Sequence, residues 1–150
     1  MSLSTLSLDQ RTRQRDGIKT VRGYLDFVAD GRSLKDRLAP GDFVSVLDGG
    51  STERARIEAL LLDGPSELPT GRVPLYVCPE CGDVDCGTIA ARVEKTADAF
   101  VWSDFTIEVT YYFDSEDERV QERITDVEPI AFEKNRYRAV LSERLAQAAD

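Results

Sequence analysis

The chain has no histidine among its 150 residues, and only three cysteines, one tryptophan and one methionine. The missing imidazole removes the Ser-His-Asp constellation, in which histidine is the base. It also leaves any zinc site to be built from thiolates and carboxylates. No apolar run approaches the length of a membrane-spanning helix. No Walker phosphate loop and no G-x-G-x-x-G sequence is present, so nucleotide and dinucleotide sites lack their signature. Internal repeats are absent. Positive charge is scarce, with 19 Lys and Arg against 28 Asp and Glu, giving a formal charge of -9. Neutralising a phosphate backbone takes clustered Lys and Arg, which disfavours nucleic acid as a partner. Such charge steers towards a basic protein as partner, or does no more than keep the chain in solution.

What is there has the scale of one domain. Apolar residues make up 41% and charged residues 31%, ordinary values for a chain with a core. The start, Met1-Ser2-Leu3-Ser4-Thr5-Leu6, has neither the basic leader nor the apolar stretch of a signal peptide, which predicts a cytoplasmic protein with no membrane association. Residues 1–16 are Ser, Thr, Gln and Arg with scattered Leu and show no stable period, so they predict a mobile arm made basic by Arg11, Arg13 and Arg15. Residues 17–150 then form the domain.

Within it, residues 18–29 are β-branched and aromatic and stop at Asp30-Gly31, a strong turn pair, which predicts a strand. Ser33 caps a short helix over residues 33–38, with Asp36 in the place of a capping-box acid and Leu34 and Leu38 on its inner face. Residues 43–47 read as a second strand. A helix over residues 52–62 carries Ile57, Leu60 and Leu61 inward and Glu53, Arg54, Arg56 and Glu58 outward. Val73, Leu75 and Val77 alternate into the cysteine loop, Ile89, Ala91 and Val93 alternate out of it, and Lys95-Thr96-Ala97-Asp98 turns the chain into Phe100-Val101-Trp102. Phe105, Ile107, Val109, Tyr111 and Phe113 occupy every second position, the mark of a strand with one face in the core. Asp114 to Glu118 reads as a solvated turn, and residues 123–127 and 129–132 as edge strands. A last helix over residues 133–147 lines up Tyr137, Val140, Leu141 and Leu145. Clustered strands joined by hairpins, with a C-terminal helix to cover them, predict an α+β fold with a mostly antiparallel sheet. The apolar face of residues 105–113 is the expected seat of that helix.

All the sulfur lies in Cys78-x2-Cys81-x4-Cys86, between two predicted strands. Three readings follow. Zinc needs four ligands, so Cys78, Cys81 and Cys86 require a fourth, for which Asp83, Asp85 and Glu80 are at hand. Gly82 and Gly87, each just after a cysteine, suit a backbone curling round a metal at positive φ. A redox pair at Cys78 and Cys81 wants a helix N-terminus to lower a thiol pKa, and those glycines with the surrounding acids oppose it. Plain packing of the sulfurs as small hydrophobes needs nothing further. Asp104 and Glu108 make an acid pair without a histidine partner, and no catalytic residue is assigned.

The motif Tyr76-Val77-Cys78-x-x-Cys81-Gly82-Asp83-x-x-Cys86-Gly87, followed by Val101-Trp102-Ser103-Asp104-Phe105, resembles a family of small, poorly characterised bacterial proteins, many of them actinobacterial and sometimes labelled oxidoreductases. The resemblance spans about a quarter of the chain and implies a bacterial cytoplasmic protein. Two function classes are left: a non-catalytic interaction module whose acidic face meets a basic protein, as an immunity protein meets a basic toxin, and an enzyme using a thiol or a metal-bound water in the loop.

Overall fold

Two sheets are stitched to each other at both ends. The computed structural model describes residues 2–13, 22–38, 42–79, 84, 87–113 and 116–148, and for residues 22, 110–113 and 116–119 the backbone alone. The three-stranded sheet consists of β1 (Leu6–Arg13), β2 (Arg22–Ala29) and β3 (Arg32–Ser33). The larger sheet runs β4 (Val44–Ser45), β5 (Val73–Val77), β6 (Thr88–Lys95), β7 (Ala99–Phe113) and β8 (Glu116–Arg123), with β9 (Ile130–Glu133) also paired to β7. Every strand pair is antiparallel. Helices α1 (Leu34–Leu38), α2 (Glu53–Leu60) and α3 (Lys134–Gln147) complete the α+β fold. At one junction Leu25 N donates to Leu47 O at 2.9 Å and Ser45 Oγ to Leu25 O at 2.5 Å. At the other, Ser4 N donates to Ala131 O at 2.7 Å and Glu133 N to Ser4 O at 2.8 Å.

Several local expectations hold. Asp30 and Gly31 both adopt positive φ, 51° and 81°, in the tight turn that joins β2 to β3. Ser33 Oγ accepts from Asp36 N at 3.2 Å at the start of α1, whose Leu34 and Leu38 are buried. Glu133 caps α3 by accepting from the backbone of Asn135 and Arg136.

The expected arm is not borne out over residues 6–13, which form β1 in register with β2 from Leu6↔Ala29 to Arg13↔Arg22, while Met1 and residues 14–16, Arg15 among them, lie outside the described residues. Polar side chains on this strand hid it from a hydrophobic period, because they point at partners. Arg13 is buried and donates to both oxygens of Asp42, at 2.9 and 2.7 Å. On α2, Arg54 is exposed as expected and Glu58 half-buried, but Glu53 and Arg56 are buried. Glu53 accepts from Arg144 Nε and Nη2 at 2.5 and 3.0 Å, and Arg56 Nε donates to Glu67 at 2.7 Å. The Gly49 N–H donates to Glu53 Oε1 at 2.5 Å, so this loop's own carboxylate takes it up. The strand expected over residues 123–127 lies earlier, as β8, and includes Glu116, Asp117 and Glu118 of the expected turn.

The core centres on aromatic rings. Trp102 is fully buried with its ring edge-on to Phe27 and Phe132, at centroid distances of 5.2 and 4.8 Å. Tyr137 of α3 stacks on Phe100 at 4.3 Å. Its hydroxyl accepts from Trp102 Nε1 at 3.1 Å and donates to Leu60 O at 2.7 Å. One side chain therefore ties α3, β7 and α2, and each ring pair adds about 0.5–1.5 kcal/mol beyond area burial. The seat of α3 is thus Phe100, Trp102 and Phe132, not the expected face of residues 105–113.

Candidate functional site

β7 carries a bulge. Up to Trp102 its even-numbered residues face the ring cluster, whereas beyond it Phe105 is the buried one. The pairing with β6 shifts between Ala90↔Thr106 and Arg92↔Ser103, which inserts one extra residue into β7. Asp104 takes up the extra length at a φ of 52°, a region that aspartate enters at a cost glycine does not have. The flip leaves Thr106 and Glu108 on the face away from the ring cluster, where residues 70–72 meet them, and Glu108 is fully buried.

A polar cluster surrounds this bulge. Arg72 donates from Nη2 and Nε to Asp104 Oδ2 at 2.7 and 3.2 Å, and from Nη1 to Gln121 Oε1 at 2.8 Å and to Glu108 Oε2 at 3.5 Å. Glu108 also accepts from Thr70 Oγ1 at 3.0 Å and Thr106 Oγ1 at 3.0 Å. Arg92 Nη2 lies 3.7 Å from Asp104 Oδ2, and Arg123 Nη2 lies 3.4 Å from Asp104 Oδ1 without an aligned hydrogen bond. The Arg72 hydrogen bond holds the Asp104 carboxyl below its ordinary pKa despite partial burial, and the charges of Arg72, Arg123 and Arg92 act in the same direction. Asp104 and Glu108, set aside from the sequence as an acid pair lacking a pocket and a histidine partner, both contact Arg72, an arginine that the sequence did not single out. An arginine after a Pro- and Gly-containing loop carries no signal for that role.

A second buried carboxylate, Asp26, accepts from Tyr76 Oη at 2.6 Å, Ser33 Oγ at 2.5 Å and Arg11 Nη1 at 3.2 Å. An acid inside the apolar run Tyr24-Leu25-Asp26-Phe27-Val28 was the one sequence signal for it. Burial, then the charge of Asp26, pushes the Tyr76 hydroxyl well above its ordinary pKa, so it stays a donor.

The cysteine loop springs from the same sheet. Val77 pairs with Thr88, and Thr88 with Glu108, so the neck of the loop and the buried glutamate share one cross-strand row. All three cysteines are carried on residues 78–87 between these paired strands. Cys78 is a half-buried free thiol, Pro79 and Val84 are buried, and Gly87 has the positive φ foreseen for it, 135°. A Cβ at Gly87 would meet Phe43 and Val109 at 3.9 Å. Glu80, Cys81, Gly82, Asp83, Asp85 and Cys86 lie outside the described residues. Among the described residues no group of three or more Cys, Asp and Glu stands close enough to hold a metal ion. Among them, too, no helix is long and apolar enough to cross a membrane.

Among the described residues, clefts lie elsewhere. One of about 290 Å³ runs between Leu8, Leu25 and Val140, and one of about 420 Å³ lies among Ser4, Arg32, Arg37 and Glu128. Neither is lined by Cys78, Asp104 or Glu108. Comparison with family models, with curated proteins and with solved structures finds no match for this chain.

Proposed function

We propose that the chain is a non-catalytic binding module of the bacterial cytoplasm, whose acidic surface meets a basic protein and whose cysteine loop is structural. The observation that carries this reading is the use made of the buried carboxylates. Asp26, Glu53 and Glu108 are fully buried, and each accepts from at least two donors, one or more of them from another part of the chain. That arrangement fixes shape, whereas an acid or base catalyst must reach its substrate. Retrieval of partners from a cytoplasmic extract at rising salt tests it: basic proteins released as ionic strength approaches about 0.5 M are expected. Acidic partners, or contacts indifferent to salt, overturn it.

For the loop, the buried Pro79 and Val84 and the positive φ of Gly87 support a fixed shape. Zinc held by Cys78, Cys81 and Cys86, with Asp83 or Asp85 as fourth ligand, is the form of that role we put to the test. Protein purified without chelator is then expected to carry about one zinc per chain, and Cys81→Ser to lose both metal and stability. Metal-free protein with every thiol titrating as free reduces the loop to packed sulfur, and Cys81→Ser then costs about 1–3 kcal/mol. A missing pair of thiols in protein prepared without oxidant favours a Cys78–Cys81 redox couple and the oxidoreductase reading.

A further inference from the structure

The sheet edges are closed unequally. β3 and β4 are two residues long, β4 is tied to β2 through Leu47, and β1 lies against α3. β8 is eight residues long, and among the described residues no strand pairs with its outer edge. The partnership of β7 with β6 ends at Thr88↔Glu108, while its pairing with β8 continues to Phe113↔Glu116. Residues 109–113 and 116–120 therefore form a two-stranded ribbon beyond the sheet. A two-stranded ribbon is marginal in water, and a third strand steadies it.

The phase of the free edge follows from one hydrogen bond. Ile124 N donates to Phe105 O at 2.8 Å, and the register continues without a break from Thr106↔Arg123 to Phe113↔Glu116. Alternation then turns the even-numbered residues of β8 towards β7 and gives Asp117, Arg119, Gln121 and Arg123 outward N–H and C=O groups. The strand carries Glu116, Asp117, Glu118 and Glu122 against Arg119 and Arg123. Arg123 is drawn to Asp104 at 3.4 Å, which leaves the edge net acidic. An acidic edge repels a copy of itself and attracts a basic strand. Val120, 39% exposed, offers such a strand an apolar contact.

We infer that the outer edge of β8 takes up an extended, basic segment of a protein partner as an added strand. This rests on the binding-module reading and names its surface. Main-chain hydrogen bonds supply the affinity in such pairing, and the acids select the sequence. The probe is an eight-residue peptide of alternating Lys and Val, titrated beside an N-methylated version and beside poly-lysine. The parent is expected to bind the plain peptide, more weakly as salt rises, and to bind the N-methylated one at least about tenfold more weakly. Arg119→Pro, which removes an outward N–H, is expected to show the same loss with an unchanged Tm. Equal binding of the plain and methylated peptides, or of the plain peptide by parent and an Arg119→Pro variant that is folded, overturns the inference. Binding of poly-lysine without binding of the alternating peptide overturns the edge and leaves the module reading standing. If neither probe binds at low salt, both fall.

Discussion

The two halves of β7 carry similar sequence and meet different surroundings. Before Asp104, Phe100 and Trp102 enter an aromatic core closed by Tyr137, Phe132 and Phe27. After it, Phe105 stays buried, Ile107 and Val109 are only half-buried, and the deepest group is the carboxylate of Glu108. One inserted residue separates an oily neighbourhood from an ionic one. Alternation in a sequence therefore assigns residues to faces only between bulges, because each bulge exchanges the faces.

The sharpest way to break the contrast is to place charge in the first half. Leu141 is fully buried on the helix that carries Tyr137, so Leu141→Asp is expected to cost about 3 kcal/mol or more, read from a urea midpoint. A variant that unfolds like the parent would mean that α3 is not what seals this half. In the second half, Glu108→Ala strands the hydroxyls of Thr70 and Thr106 and one contact of Arg72, and a loss of about 2 kcal/mol is expected by the same measurement. If Glu108→Ala is neutral, the ionic half is a surface feature and the distinction between the halves collapses.

The smallest effect concerns pH. The folded pKa of Asp104 lies below its ordinary value, chiefly through the Arg72 hydrogen bond. Its contribution is therefore fully present above the unfolded pKa of about 3.9 and is lost as pH falls through the lower folded value. Asp104→Asn should be less stable than the parent near neutral pH, with the gap closing on acidification, as followed by urea midpoints from about pH 6 to about pH 2. A gap that stays constant would assign the role of Asp104 to its backbone conformation rather than its charge.

Much of the fold was readable because local chemistry wrote it. The Asp30-Gly31 turn, the hairpin around Lys95 to Asp98 and the stripe of Tyr137 and Leu141 all depend on neighbours within a few residues. β1 and the burial of Glu53 and Arg56 on α2 were not readable, for one shared reason. Arg13, Glu53 and Arg56 are buried because a specific opposite charge waits in a distant part of the chain, and hydrophobic periodicity cannot register a paired ion. At the candidate site, Asp104 and Glu108 were visible as two acids on one strand, but the bulge at Asp104, the cover that residues 70–72 give Glu108 and the arginine that joins the two acids come from tertiary structure. The motif placed the cysteines on one loop and foresaw the backbone of Gly87, while Asp26 was open to detection and passed over.

The strap at Ser4 has a consequence for synthesis. Arg136, which follows the strand that Ser4 grips, also donates to Leu6 O, and these two residues are 130 positions apart. On the ribosome the first strand emerges long before the segment that flanks it, and so it waits beside β2 with that edge bare. Contacts of such high order slow folding, since the chain entropy of a long closure is lost before the contact forms. The strap and this contact can close only once α3 has left the exit tunnel, which makes a late helix the latch for a much earlier strand.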